Sequence, residues 1–170
     1  MSSVGERVGE LRYRVVESPV GELVLTGTEE FLSGLWFSGP DQSPAPIDAM
    51  VEDPTAFQTV VDQLGEYFDG QRESFEVNLA PEGTEFQLRV WRALRDIPYG
   101  ETCSYGDIAK AVGVPKGSRA VGLANGRNPI SIIVPCHRVI GADGSLTGYG
   151  GGMDRKKFLL DLESSQQSML

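Results

Sequence analysis

Apolar and polar positions change period along this chain. Leu11–Val16, Gly21–Thr28 and Phe31–Phe37 are short β-rich runs, the second entered through a Pro-Val-Gly turn and the third through two acidic residues. They predict an antiparallel meander. Pro40–Pro46, with its Pro, Asp and Ser, reads as a loop. From Pro54 the spacing becomes helical: Phe57, Val60, Val61, Leu64, Tyr67 and Phe68 share a face, Pro54 suits a first turn, and Gly70 falls just past the end. Phe75, Val77 and Leu79 alternate again and predict one more strand, followed by a linker at Ala80–Gly83.

The second half is helical. Thr84 and Gln87 fit a capping box in front of the face Phe86, Val90, Ala93, Leu94 and Ile97. Pro98-Tyr99-Gly100 ends that helix. Ser104 can cap a second one, with Ile108, Ala109 and Val112 inward, and Gly113-Val114-Pro115 turns into a third over about 118–124. Helix, short Gly-containing turn and helix make a helix-turn-helix pattern, although many helical hairpins share it. Lys116 and Arg119 suit phosphate or groove contact as well as they suit a solvated face. Asn125-Gly126-Arg127-Asn128-Pro129 follows. Ile130–Val134 predicts a buried extended run leading into Cys136. A last helix starts near Asp154, with Phe158, Leu159 and Leu162 apolar, and the tail from Ser164 is expected to fray.

Composition adds little until it is divided. Over 170 residues, 40% are apolar and 23% charged, which argues against a disordered chain. No apolar run approaches the roughly 20 residues of a membrane span, and no secretory leader opens the sequence, so no membrane partner and a cytoplasmic location are expected. Cys103 and Cys136 are then expected to be reduced thiols, too few for a disulfide framework. The net charge of -9 argues against nucleic acid. Residues 1–83, however, hold 4 basic and 16 acidic residues, and residues 84–170 hold 11 basic and 8 acidic. The asymmetry predicts two modules, 1–83 and 84–170, the second able to meet a polyanion. Charge alone slightly favours a basic face that merely balances an acidic one.

Pro135-Cys136-His137-Arg138 carries the clearest chemistry. A thiol becomes a nucleophile where positive charge favours its thiolate, and here the only His in the chain and an Arg follow it directly. The expectation is a sulfur held ionised at the mouth of a cleft. Adjacent side chains diverge, so Cys136 and His137 need a turn or a bridging water to cooperate. Cys103, between Thr102 and Ser104, reads as a small packing residue. A papain-like hydrolase would show a different signature around its Cys and a distant His. A cysteine hydrolase therefore carries low weight.

With Pro135-Cys136-His137-Arg138-Val139-Ile140, Asn128-Pro129, Ser118-Arg119-Ala120-Val121-Gly122 and Thr147-Gly148-Tyr149 before Gly150–Gly152, the sequence resembles the O6-alkylguanine-DNA alkyltransferases. The likeness covers 84–170 closely, and the first half only in size and element order. It implies an α/β fold: a ribonuclease-H-like N-terminal domain and a mostly helical C-terminal domain with a helix-turn-helix. It implies DNA repair by single-use, irreversible transfer of an alkyl group from guanine O6, and less well from O4-alkylthymine, to Cys136. The partner implied is double-stranded alkylated DNA, entered from the minor groove with the damaged nucleotide flipped out. Cooperative self-association on DNA stays open. Arg119 would fill the gap left by the base, with Ser118, Lys116, Ala120 and Arg127 along the same DNA contact. Glu163 would orient His137, which takes the thiol proton. Tyr105 would donate to the leaving guanine, Asn128 would act as a hinge, and Lys156 would lie near the reactive centre. Tyr149, Gly150, Gly151, Val139 and Pro135 would form the base pocket.

No cofactor is implied. Residues 1–83 contain no Cys or His, so the zinc that some members bind there is not expected. Gly150 stands where some members carry Ser, which bears on pocket shape. A non-catalytic module that recognises alkylated DNA, or a regulatory helix-turn-helix, is the alternative, though its relatives replace the cysteine by tryptophan.

Overall fold

The structure, a computed structural model, describes residues 10–39, 47–146, 149 and 151–168. The chain divides into two compact units, Met1–Glu82 and Gly83–Leu170. The loop expected at Pro40–Pro46 lies outside the described residues.

Among the described residues, the first unit is a mixed sheet with one helix. Strands β1 (Arg12–Val16), β2 (Leu23–Gly27) and β3 (Leu32–Phe37) form the meander, β1 and β2 pairing antiparallel, as do β2 and β3. A fourth strand, β4 (Val51–Glu52), adds to β1 in parallel, giving the order β3-β2-β1-β4. Both its residues are exposed, so no hydrophobic pattern marked it. Every residue of β2 is buried. Helix α1 (Gln58–Phe68) buries Val60, Gln63, Leu64 and Tyr67.

The strand expected at Phe75, Val77 and Leu79 does not form. Leu79 makes a single bridge to Leu32, and the rest of the run pairs with a side chain. Gln63 of α1 accepts from the Glu76 amide at 2.9 Å and donates to the Glu76 carbonyl at 3.2 Å. One buried side-chain amide thus does for this segment what a ladder partner does for a strand.

In the second unit both expected caps are present. Helix α2 (Glu85–Arg95) starts with the reciprocal Thr84–Gln87 box, and α3 (Tyr105–Ala111) with the same device between Ser104 and Asp107. Helix α4 (Ser118–Gly126) runs two residues beyond the expected end, so Asn125 and Gly126 are helical. Trp91 of α2 donates its indole N–H to the Ala124 carbonyl of α4 at 2.8 Å, fixing the two helices against each other. Strands β5 (Cys103–Ser104) and β6 (Val139–Ile140) pair in parallel, with Cys103 opposite Val139. Helix α5 (Met153–Ser168) continues through the tail expected to fray. Of its expected core residues, Leu159 is fully buried, but Phe158 is 39% exposed. The buried face carries Lys156 and Glu163 instead.

Ile130–Val134 is buried as expected, apart from the half-buried Ser131, but it is a turn and not an extended run. The Ile133 amide donates to the Ser131 carbonyl, and the Val134 amide reaches back to the Ile130 carbonyl. Ile132 takes a φ of 71°, a left-handed conformation costly for a β-branched residue. Local β propensity yields here because the whole segment is enclosed and its amides find partners within the turn.

Replacing Trp91 by Phe removes the bond to α4 together with the pyrrole half of a buried indole. The Ala124 carbonyl keeps the Arg127 amide, so the lost bond contributes about 1 kcal/mol, and the space left by the smaller ring adds about 1 kcal/mol or more, read from the denaturant midpoint. An unchanged midpoint would mean that this bond does not hold α4.

Candidate active site

Cys136, His137 and Arg138 form one 3-10 turn between the Ile130–Val134 segment and β6, and all three side chains are buried. Asn128 builds the approach to it. Its side chain donates to the Val134 carbonyl at 2.8 Å and accepts from the Ile130 amide at 3.0 Å, closing both ends of the strained turn. The Cys136 amide donates to the same Val134 carbonyl. Pro135 is buried at the head of the 3-10 turn.

Glu163 of α5 reaches this turn and is shared by two partners. His137 Nε2 lies 2.8 Å from Glu163 Oε2. Arg138 donates from Nε to Oε1 at 2.8 Å and from a terminal nitrogen to Oε2 at 3.0 Å. Its other terminal nitrogen donates to the Ile97 carbonyl at 2.7 Å, and its guanidinium lies over the Tyr99 ring. Burial alone would raise the Glu163 carboxyl. The bonds and charges of His137 and Arg138 outweigh that and hold it at about 2. An ionised carboxylate only accepts, so the His137 proton resides on Nε2. Burial lowers the His137 pKa, with the Arg138 and Lys156 charges adding to it against the pull of Glu163, and the ring is neutral. Its Nδ1 is buried with no hydrogen-bond partner among the described residues. The ring therefore presents a free lone pair and makes no direct bond to the Cys136 sulfur.

The thiol itself departs from expectation. Cys136 is 4% exposed, and burial pushes its pKa up, with the Asn128 hydrogen bond and the Lys156 charge offsetting only part. The sulfur at rest is a buried thiol, not the ionised one that the adjacent His and Arg suggested. Arg138 faces Glu163 and the His is neutral, so neither supplies a bare positive charge. Lys156, fully buried, donates to the Val139 carbonyl at 2.6 Å, and burial lowers its pKa against the pull of Cys136. Tyr149 has its hydroxyl pushed well up by burial, and a charge on Cys136 would push it further. Cys103 is pushed up to about 11 by burial and by Asp107, as suits a packing thiol.

The structure thus brings Cys136, His137, Glu163, Lys156, Val139 and Pro135 into one buried cluster, with the half-buried Asn128 at its edge and Tyr149 in its field. Gly151 accepts a bond from Arg155, while Gly150, Thr147 and Gly148 lie outside the described residues. Tyr105 opens α3, its ring 3.8 Å from where a Cβ on Gly122 of α4 would stand. Lys116, Ser118, Arg119, Ala120 and Arg127 form a separate group, all exposed along α4 and its ends. Arg119 makes no ion pair or side-chain hydrogen bond among the described residues.

Two family models match the chain: the 6-O-methylguanine DNA methyltransferase ribonuclease-like domain over residues 11–81, and the DNA binding domain of the same enzyme over 85–165. The chain belongs to the 6-O-methylguanine DNA methyltransferase family. A methylated-DNA–protein-cysteine methyltransferase of Methanosarcina acetivorans is 57% identical over 90% of this chain and 98% of its own. One from Mycolicibacterium paratuberculosis is 55% identical over 90% and 92%. The solved structure of Mycobacterium tuberculosis OGT in complex with DNA matches at a TM-score of 0.87 and 54% identity, covering 91% of this chain and 94% of that one.

Two buried side chains at the 3-10 turn carry no local signal in the sequence. The sequence offers Arg138 only as a charge near the thiol, and nothing local marks its bidentate grip on a carboxylate 25 residues away. Asn125 falls one residue past the helix end expected near Ala124, and it turns inward because α4 runs on to Gly126.

Protonation of this cluster sets an acid limit. The His137 pKa is depressed in the fold, so its stabilisation is present above its ordinary 6.5 and falls as pH drops below that value. The Glu163 contribution is present above its ordinary 4.5 and is lost as pH falls through about 2. The thermal midpoint is expected to decline below about pH 6.5 and more steeply below about 4.5. Glu163→Gln, which leaves Arg138 buried without its counter-charge, should lower the midpoint at neutral pH and flatten the acid slope. Parallel acid slopes for the two proteins would show that Glu163 is not the titrating group.

Proposed function

We propose that this protein repairs DNA by moving an alkyl group from guanine O6 to the sulfur of Cys136, each molecule acting once. The observation that carries this reading is the neutral His137, held by Glu163 through Nε2 with Nδ1 unpartnered, one residue from a buried thiol. Because the resting thiol is protonated, its proton must leave as the substrate docks. His137 Nδ1 takes it through an intervening water, and Glu163 stabilises the imidazolium that forms. The S–C bond forms as the C–O6 bond breaks in line, and the electron pair goes to guanine O6. Tyr105 donates a proton to the guanine ring and is re-protonated at the expense of His137. In balance, the alkyl group ends on sulfur and the thiol proton on guanine. Asn128 holds the approach turn, and Lys156 stabilises the transient thiolate.

The DNA side follows from the exposed group on α4. Guanine O6 inside a duplex is out of reach, so the nucleotide must be flipped into the pocket that Tyr149, Gly150, Gly151, Val139 and Pro135 would line. Arg119 enters from the minor groove to fill the gap, while Ser118, Lys116, Ala120 and Arg127 run along the backbone. O4-alkylthymine is the poorer substrate. Residues 84–170 carry this chemistry, and residues 1–83 are scaffold.

The test is mass spectrometry after incubation with duplex O6-methylguanine. One methyl per protein on Cys136 is expected, while continued turnover, or no methyl, overturns the reading and, in the latter case, favours a recognition module. Cys136→Ala should abolish transfer and keep duplex binding; loss of both would make the residue structural. His137→Ala should slow single-turnover transfer by about a hundredfold or more, the usual contribution of a general base. A smaller effect at every pH would remove His137 from the proton path. Arg119→Ala should weaken flipping, read by fluorescence of a base analogue beside the lesion, more than overall affinity. An equal loss on all DNA with normal flipping would make it a phosphate contact.

A further inference from the structure

Asn125 stands in the last turn of α4, 3% exposed and turned inward, while Arg119 on the same helix faces outward. Its Nδ2 donates to the carbonyl of Cys136 at 3.4 Å, near the long limit for such a bond. Its Oδ1 is buried with no partner among the described residues. The reverse orientation would set Oδ1 against the Cys136 carbonyl oxygen, so the assignment is fixed by its neighbour. A buried amide with one long bond and one unmet acceptor is a poor packing residue; an apolar side chain would fill the space without desolvating a polar group. What the amide supplies is a link from the helix with the exposed basic face to the main chain of the nucleophile.

We propose that Asn125 is a positioning residue that carries the engagement of α4 with DNA to Cys136, its amide closing on the Cys136 carbonyl when the helix is loaded. The inference rests on the function proposed above. In the free protein the bond is long, so small movements of α4 change its strength steeply. Loading the outer face of α4 presses its inner face on the 3-10 turn, and a shorter Nδ2···O bond fixes the Cys136 backbone, and with it the direction of the sulfur. A near-attack geometry needs that fixing, because small misplacements of a reacting atom cost large factors in rate.

The experiment compares wild type, Asn125→Ala and Asn125→Asp in single-turnover transfer from duplex O6-methylguanine, with duplex Kd and thermal midpoint measured alongside. For both variants Kd should stay within about twofold while the rate at saturating DNA falls about tenfold, the size of one lost hydrogen bond. Asn125→Asp keeps the shape but has no donor, so it should not rescue. A lowered midpoint with an unchanged saturating rate, a loss confined to Kd, or a full rescue by Asp overturns the proposal. A measurement on the wild type covers variants that fail to fold. The Asn125 side-chain amide protons should shift and exchange more slowly with solvent on duplex binding; protons that do not move overturn it. If wild type itself acquires no methyl, the parent reading has failed, whereas transfer by wild type with unaffected variants fails the role of Asn125 alone.

Discussion

A carboxylate buried on α5 sets the terms for everything around it. Glu163 is nearly inaccessible to water, and an ion in that position persists only if its lone pairs are filled. Arg138 fills most of them with a two-point grip, while the rest of its guanidinium is taken by the Ile97 carbonyl. The carboxylate is therefore fully ionised yet largely spent. It can still order an imidazole through one bond to Nε2, but it does not draw a proton onto the ring at rest. The result is a neutral histidine of one defined tautomer, which a base must be before it acts.

The chain reaches that arrangement through an irregular segment, not through a regular element. A strand over Ile130–Val134 would point successive side chains to opposite faces and leave main-chain groups seeking a neighbour. The turn instead folds its amides back on itself, with Asn128 bridging its two ends and Ile132 held left-handed. Strain of this kind persists only where surrounding contacts over-determine it, and such places concentrate at reactive centres. Beyond the turn, the pairing of β5 with β6 anchors the exit, so Cys136 is held from both sides.

How much of this was legible depended on the range of the interaction. The caps at Thr84 and Ser104 are contacts between residues three apart, and their chemistry can be read directly from the letters. The three strands of the meander and the four expected helices of the second unit follow from equally local letters: period, caps and turn residues. Features that depend on distant partners did not show. The Phe75–Leu79 alternation is real, but Gln63, twelve residues before Phe75, takes the main chain of Glu76 in place of a ladder. On α5 the apolar letters pointed to Phe158, whereas the buried stripe holds Lys156 and Glu163, polar residues that only their partners 17 and 25 residues earlier make tolerable. Likewise, the ionisation of the thiol could not be judged from its neighbours in sequence, because the arginine beside it was already engaged.

The enclosed, protonated sulfur has a consequence for life among other reactive molecules. Peroxides, quinones and similar small oxidants and electrophiles consume cysteines in proportion to thiolate character and access. A protein that spends its only reactive group in a single event would be disarmed by such encounters if that group were permanently ionised and open. Keeping the proton on Cys136, behind about as little accessible surface as a core residue has, protects the side chain from them, and under the proposed function that protection ends only when a docked base brings on proton removal. Chemical patience, rather than heightened nucleophilicity, is what the interior of this fold confers on the residue.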